Sequence, residues 1–223
     1  MMKLNLVLLV VFAGSLNLNA QNSISKNQPD KAYREVVSKR AEKIVNTLEI
    51  TDPARSERVR NLIAQQYYDL NGIHDRCKAE KGKLKEKGGS REQIEAEIKA
   101  LQARADSELT VLHQKYIVNL SNELSPEQIE GVRNGMTYGV LPITYAGYLD
   151  MIPELKEEEK QQIMIWLTEA REHAMDAGSS EEKHGWFGKY KGRINNYLSA
   201  RSYDLKKYSE AREARIREAQ QKK

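Results

Sequence analysis

The chain has 223 residues, of which 36 are basic and 32 acidic, for a formal net charge of +4. That balance, with both signs interleaved, excludes the dense single-sign surface by which proteins hold a nucleic-acid backbone, so no nucleic-acid partner is expected. Cys77 is the only cysteine, which excludes an intramolecular disulfide.

The N-terminus reads as an export signal. Met1 to Lys3 is a short basic start, Leu4 to Gly14 is mostly apolar, and Leu18 and Ala20 fit the minus-three and minus-one positions of a signal peptidase site. Cleavage is expected near Ala20/Gln21. The apolar run is far shorter than the ~20 residues of a membrane span, and no cysteine follows the cleavage point to carry a lipid. The expected organisation is a signal peptide at 1–20, a disordered leader at 21–29 and a single all-α domain at 30–223. The protein is expected to be exported, periplasmic or secreted, without a stable membrane anchor, and losing Lys3 would lower its charge by one.

The first helix is expected from Asp30 to Leu48, with Tyr33, Val36, Val37, Ile44, Val45 and Leu48 inward. Thr51 or Asp52 caps a second, beginning at Pro53, where proline is tolerated in a first turn. Its apolar residues Val59, Leu62, Ile63, Leu70, Ile73 and Cys77 recur at steps of three and four, with Cys77 packing as a small hydrophobe. "KGGS" breaks the pattern at 87–90, and Ser90 with Gln93 forms a capping-box pair. A second run follows through Ile94, Ile98, Leu101, Ala105, Leu109, Leu112, Tyr116 and Leu120. Arms at about 53–87 and 90–122 make a long antiparallel hairpin, each ~50 Å at 1.5 Å per residue, with a charged tip in solvent. Ser125, Pro126 and Gln128 start the next helix strongly. This start is similar to those of small periplasmic stress chaperones, which suggests a scaffold role for the hairpin.

The C-terminal helical part, 125–200, has a different character. Ten of the fifteen aromatics lie between Tyr138 and Tyr208. Pro142 and Pro153 exclude one continuous helix, leaving a short helix from Thr144 to Met151 with Tyr145, Tyr148 and Leu149 inward. A helix from about Lys156 to Ala177 carries the stripe Ile163, Trp166, Leu167, Ala170, Ala174 and Ala177, and stops at Gly178. Along one border lie Trp166, Glu169, His173 and Asp176, which places an imidazole between two carboxylates; His173, Glu169 and Asp176 are the weak catalytic candidates. Glu181 and His184 resemble half of a di-iron pattern, but no second copy exists, so no metal and no cofactor is expected.

Ser180 is expected to cap the following helix. Its Trp186, Phe187, Tyr190, Ile194, Tyr197 and Leu198 fill one arc, while Gly185, Gly188 and Gly192 cluster opposite, flanked by His184, Lys189, Asn195 and Asn196. Three interior glycines cost a helix ~1 kcal/mol each. They either receive a neighbouring helix or floor a shallow polar groove. The groove reading makes His184, Trp186, Lys189, Tyr190, Asn195, Asn196, Tyr145 and Tyr148 the ligand-binding candidates. A charged terminal helix covers 203–221.

The runs "LPITYAGYLDMIPEL", "WLTEAREHAMDAGSSEEKHGWFGKYKGRINNYLSA" and "TDPARSERVRNLIAQQYYDLN" resemble a family of secreted bacterial proteins known only as a domain of unknown function, numbered 3826. The resemblance implies an exported protein of Bacteroidetes-type bacteria, with gene neighbourhoods for polysaccharide breakdown, and carries over no catalytic residue. The leading expectation is a non-catalytic accessory protein in polysaccharide utilisation that binds a glycan fragment or a protein partner. The alternatives are a carbohydrate-active enzyme using the His173 row, and a chaperone-like scaffold acting through the hairpin.

Overall fold

The computed structural model describes residues 31–221, and over them the chain is all-α, eight helices without a strand. The expected signal peptide and leader lie outside the described residues.

Helix α1 (Lys31–Val45) leads by a turn into α2 (Pro53–Lys87), whose start is fixed by Asp52 accepting the Ala54 N–H at 2.9 Å. Gly88 and Gly89 reverse the chain with φ of 76° and 138°, a conformation that suits glycine. A full capping box at Ser90 and Gln93 then opens α3 (Arg91–Ser121). A second box, Ser125 with Gln128, opens α4 (Pro126–Met136). The remaining helices are α5 (Val140–Met151), α6 (Glu157–Met175), α7 (Ser180–Ser199) and α8 (Leu205–Gln221).

Four local expectations need correcting. Helix α1 gives way at Asn46 to a turn containing Glu49 at φ 53°, rather than running to Leu48. Val36 is 45% exposed, because α1 packs through the Val37, Ala41 and Ile44 stripe. Helix α5 begins four residues before Thr144; Pro142 sits in its first turn, where a backbone N–H has no acceptor to lose. The cap of α7 is Ser179, which accepts the Glu182 N–H at 3.1 Å.

Two main cores form. In the first, Val37 and Ala41 of α1, Val59 and Ile63 of α2, Leu120 of α3 and Val132 of α4 are fully buried. In the second, Ile152, Ile163, Leu167, Phe187, Ile194 and Leu198 tie α6 and α7 to the end of α5. Each of these larger side chains, Ala41 apart, contributes roughly 1.5–3 kcal/mol by leaving water. A smaller cluster of Ile73, Cys77, Leu101 and Ala105 holds the hairpin arms together, and it buries the one thiol. Met175 of α6 reaches into the first core, so α6 joins the two. Among the described residues no helix is long and apolar enough to cross a membrane.

Candidate functional site

Helix α7 presents three surfaces. Phe187, Tyr190, Ile194 and Leu198 face the core. The opposite side holds Gly185, Gly188 and Gly192, and a Cβ built on any of them meets nothing within 4 Å. Of the two expected roles for these glycines, helix contact is absent among the described residues. The strip is an open, flat stretch of backbone.

One margin of that strip is aromatic and cationic. His173 of α6 stacks on Trp186 with centroids 4.2 Å apart and planes at 14°. Lys189 Nζ lies 4.9 Å from the Trp186 centroid, and Tyr190 lies 6.2 Å from His173. Further along, Arg193 sits 4.5 Å over Trp166 and 3.6 Å from Glu169. Arg201 sits 3.7 Å over Tyr197, whose ring meets Trp166 edge-on. Burial and the nearby Glu169 carboxylate raise the Tyr190 phenol above its usual range.

The other margin carries a second ring pair. His184 stacks on Tyr138 at 5.5 Å and 17°. Tyr138 adopts φ 60°, next to Gly139 at 67°, so the α4–α5 turn holds a bulky residue in a left-handed conformation that costs ~1 kcal/mol or more. Tyr148 donates to Asn195 Oδ1 at 2.7 Å, and burial pushes its phenol up to about 12. Asn196 is exposed beside the glycines, while Tyr145 is half-buried against the second core.

The row read along α6 does not assemble around His173. Glu169 turns to Arg193, and Asp176 turns inward, accepting from His113 Nδ1 at 2.9 Å. The imidazole that does lie between two carboxylates is His113 of α3, whose Nε2 is 3.2 Å from Glu172. The hydrogen bonds to Asp176 and Glu172 raise His113 to about 9, so it stays an imidazolium at neutral pH. Beside it, His74 of α2 donates from Nε2 to the Asp176 carbonyl at 2.7 Å. Arg171, only 3% exposed, forks onto Glu130 of α4 at 2.5 and 3.2 Å and reaches Asn134 at 3.2 Å. Lys183 of α7 is buried, donating to the Met136 carbonyl at 3.1 Å, and desolvation lowers it to about 8.

Sequence reasoning missed this junction, although part of it left a trace. Arg171 sits between Leu167 and Ala174 on the apolar stripe of α6, and Lys183 falls inside the aromatic arc of α7. Charges at core positions are the anomaly to look for. His113 left no such signal, because its partners are about sixty residues away.

Chemically, the two regions differ. In the junction every named charge is engaged, and both His113 nitrogens are occupied by carboxylates. Among the described residues no group of three or more His, Cys, Asp or Glu is placed to hold a metal ion. The α7 face, by contrast, offers ring faces, side-chain amide and ammonium donors, and bare backbone.

Residues 34–218 match the family described as a protein of unknown function (DUF3826), and the chain belongs to that family. None of the curated proteins compared with the chain matches it.

Proposed function

We propose that this DUF3826 protein is an exported, non-catalytic binding protein whose ligand lies across the outer face of α7, and that the ligand is a carbohydrate chain. One observation carries the reading: Gly185, Gly188 and Gly192 weaken α7 by ~1 kcal/mol each relative to alanine, yet no internal neighbour fills the space above them. An external occupant that approaches the backbone makes use of that space. The margins suit a sugar. Trp186 with His173, and Tyr138 with His184, supply flat apolar faces, while Lys189 and Asn196 supply polar groups for hydroxyls. The non-catalytic reading is supported by the engagement of Glu169 with Arg193 and of Asp176 with His113, which leaves His173 without a carboxylate beside it among the described residues. Export rests on the signal-like residues 1–20, and a place in polysaccharide utilisation follows from export and sugar binding together.

The test is a calorimetric and thermal-shift screen against neutral and acidic oligosaccharides, repeated on Trp186→Ala and Gly188→Gln. A ligand at 100 times its dissociation constant stabilises the fold by about 2.7 kcal/mol. Both variants are expected to lose that response, with Gly188→Gln melting no lower than the parent. Silence across the panel, or binding that survives both substitutions, would sink the proposal.

A further inference from the structure

The hairpin carries a feature that the α7 site does not use. An open groove of about 1060 Å³ runs between α2 and α3, with Arg34 of α1 at its base, and a smaller one of about 380 Å³ continues it toward the tip. The two share Arg104. On α3 the lining residues Lys115, Val111, Glu108, Arg104, Leu101 and Glu97 follow one another at helical steps, which makes a single channel ~27 Å long at 1.5 Å per residue. Its floor is apolar, with Ile73 and Leu101 buried and Leu112 half-buried, and Val111 stands 65% exposed on its rim. Val111 thus extends the apolar surface of the channel at its open edge.

The charges name the occupant. Lys83, Glu97, Arg104 and Lys115 have no hydrogen-bond or ion-pair partner among the described residues. Along α3 the charges are antisymmetric about the middle of the groove. If an identical chain is turned end for end and laid on it, Lys115 meets the second copy's Glu97. Arg104 meets Glu108, which also holds Arg76 of its own chain at 2.7 Å, and Val111 meets Leu101. Each contact then occurs twice, as a two-fold interface requires. A two-fold axis along the helices would instead set α3 of one copy against α2 of the other and lose the pairing of Lys115 with Glu97.

We propose that the hairpin is a homodimerisation element, in which the α2–α3 grooves of two copies close on each other antiparallel to form a four-helix bundle. The geometry is that of ordinary helix bundles, with apolar seams inside and complementary charges along the edges selecting direction and partner. The glycine face of α7 plays no part in it, so the two assignments stand or fall separately.

Sedimentation velocity on the purified chain tests this directly. The parent is expected to be a dimer, and Lys115→Glu and Glu97→Lys are each expected to weaken self-association by about tenfold or more, since two like-charge contacts arise per interface. Mixed in equal amounts, the two variants should form a heterodimer, because each reversed charge then meets its opposite. Val111→Asp should give monomer. All three positions are exposed on helix surfaces, so the far-ultraviolet helical signal should not change. A parent that stays monomeric at concentrations on the order of 100 µM, the affinity floor of a useful dimer, would overturn the proposal. So would a dimer indifferent to these substitutions, or a mixture that fails to pair.

Discussion

Where the elements pack against one another, Gly131, Gly135 and Gly178 sit where an added Cβ would lie 2.7, 2.8 and 2.7 Å from Leu48, Ile44 and His74. On the outer face of α7, the same construction at Gly185, Gly188 and Gly192 meets nothing within 4 Å. The charged residues divide the same way. Near the first three glycines, Arg171, Glu130, His113, Glu172 and Asp176 are locked to one another, whereas Lys189 and His173 lie over an exposed ring margin. One region uses small residues and charges to close two cores together. The other leaves both open to solvent, and an open region that lowers helix stability is where a binding role has physical room.

The largest expected effect comes from breaking the closed region. Glu130→Ala removes the forked partner of Arg171, whose side chain is 3% exposed, and leaves a buried guanidinium with only Asn134 and Glu172. The expected loss is ~3 kcal/mol, at the low end for a broken buried pair because Glu130 itself is half exposed. Urea denaturation measures it, and adding Arg171→Met should recover most of the loss, since the stranded charge is then gone.

A pH titration sharpens the same region. His113 binds its proton up to about 9 when folded against 6.5 when free, so its contribution is fully present below 6.5 and drains as pH rises toward 9. Lys183 loses its proton at about 8 when folded against 10.5 when free, so it contributes in the opposite sense, adding stability as pH rises from 8 to 10.5. The groups facing them are Asp176 and Glu172 from α6 for His113, and for Lys183 Asp176 from α6, Arg40 from α1 and the Tyr67 ring of α2 at 5.6 Å. Stability should fall by up to about 2 kcal/mol between pH 6.5 and 8, at 1.36 kcal/mol per unit. It should level between 8 and 9 and recover from 9 to about 10, above which Tyr67 and Tyr148, held protonated up to about 12 when folded, drain stability in turn. In His113→Gln the fall should vanish while the recovery remains.

These two predictions also mark how far the sequence could be read. Helix limits were legible at Asp52-Pro53, at Ser90 with Gln93 and at Ser125 with Gln128, whereas at α7 two adjacent serines compete for the cap, and Ser179 holds it in place of the expected Ser180. The start of α5 was not, because proline excludes a helix interior but not a first turn, and Pro142 occupies the first turn. The candidate site was legible as a wheel: the aromatic arc and glycine strip of α7 lie where 100° per residue puts them. What covers a face is a tertiary fact, so whether the glycines met a helix, a groove or open solvent could not be read from the wheel. The pairing of His113 with Glu172 and Asp176 spans about sixty residues, beyond any local period. The row on α6 consequently assigned Asp176 to the wrong histidine.

Gly135→Ala is the packed half of a matched pair of substitutions. Its Cβ would lie 2.8 and 3.1 Å from the two γ-carbons of Ile44. Ile44 is buried, and its branched side chain has one preferred rotamer on a helix, so it cannot swing aside. Overpacking of this kind costs about 1–3 kcal/mol, against a gain of up to ~1 kcal/mol in helix propensity. The expected net is a loss of about 1 kcal/mol, read as a lower urea midpoint.

Gly188→Ala is the other half, and its sign should be reversed. The added methyl meets no neighbour, so the stiffer backbone should raise stability by ~0.5–1 kcal/mol. Thermal melting of the single variant, and of Gly185→Ala with Gly192→Ala added, should show the gain accumulating, because the sites share no partner. The same triple variant probes the ligand. If a carbohydrate lies against the bare backbone, three methyl groups lift it off the strip, and the chain should melt higher yet bind worse. Gains in both stability and binding would mean that the strip is a bystander and that the ring margins alone hold the ligand. A loss of stability would contradict the open geometry itself and place an unseen neighbour over α7.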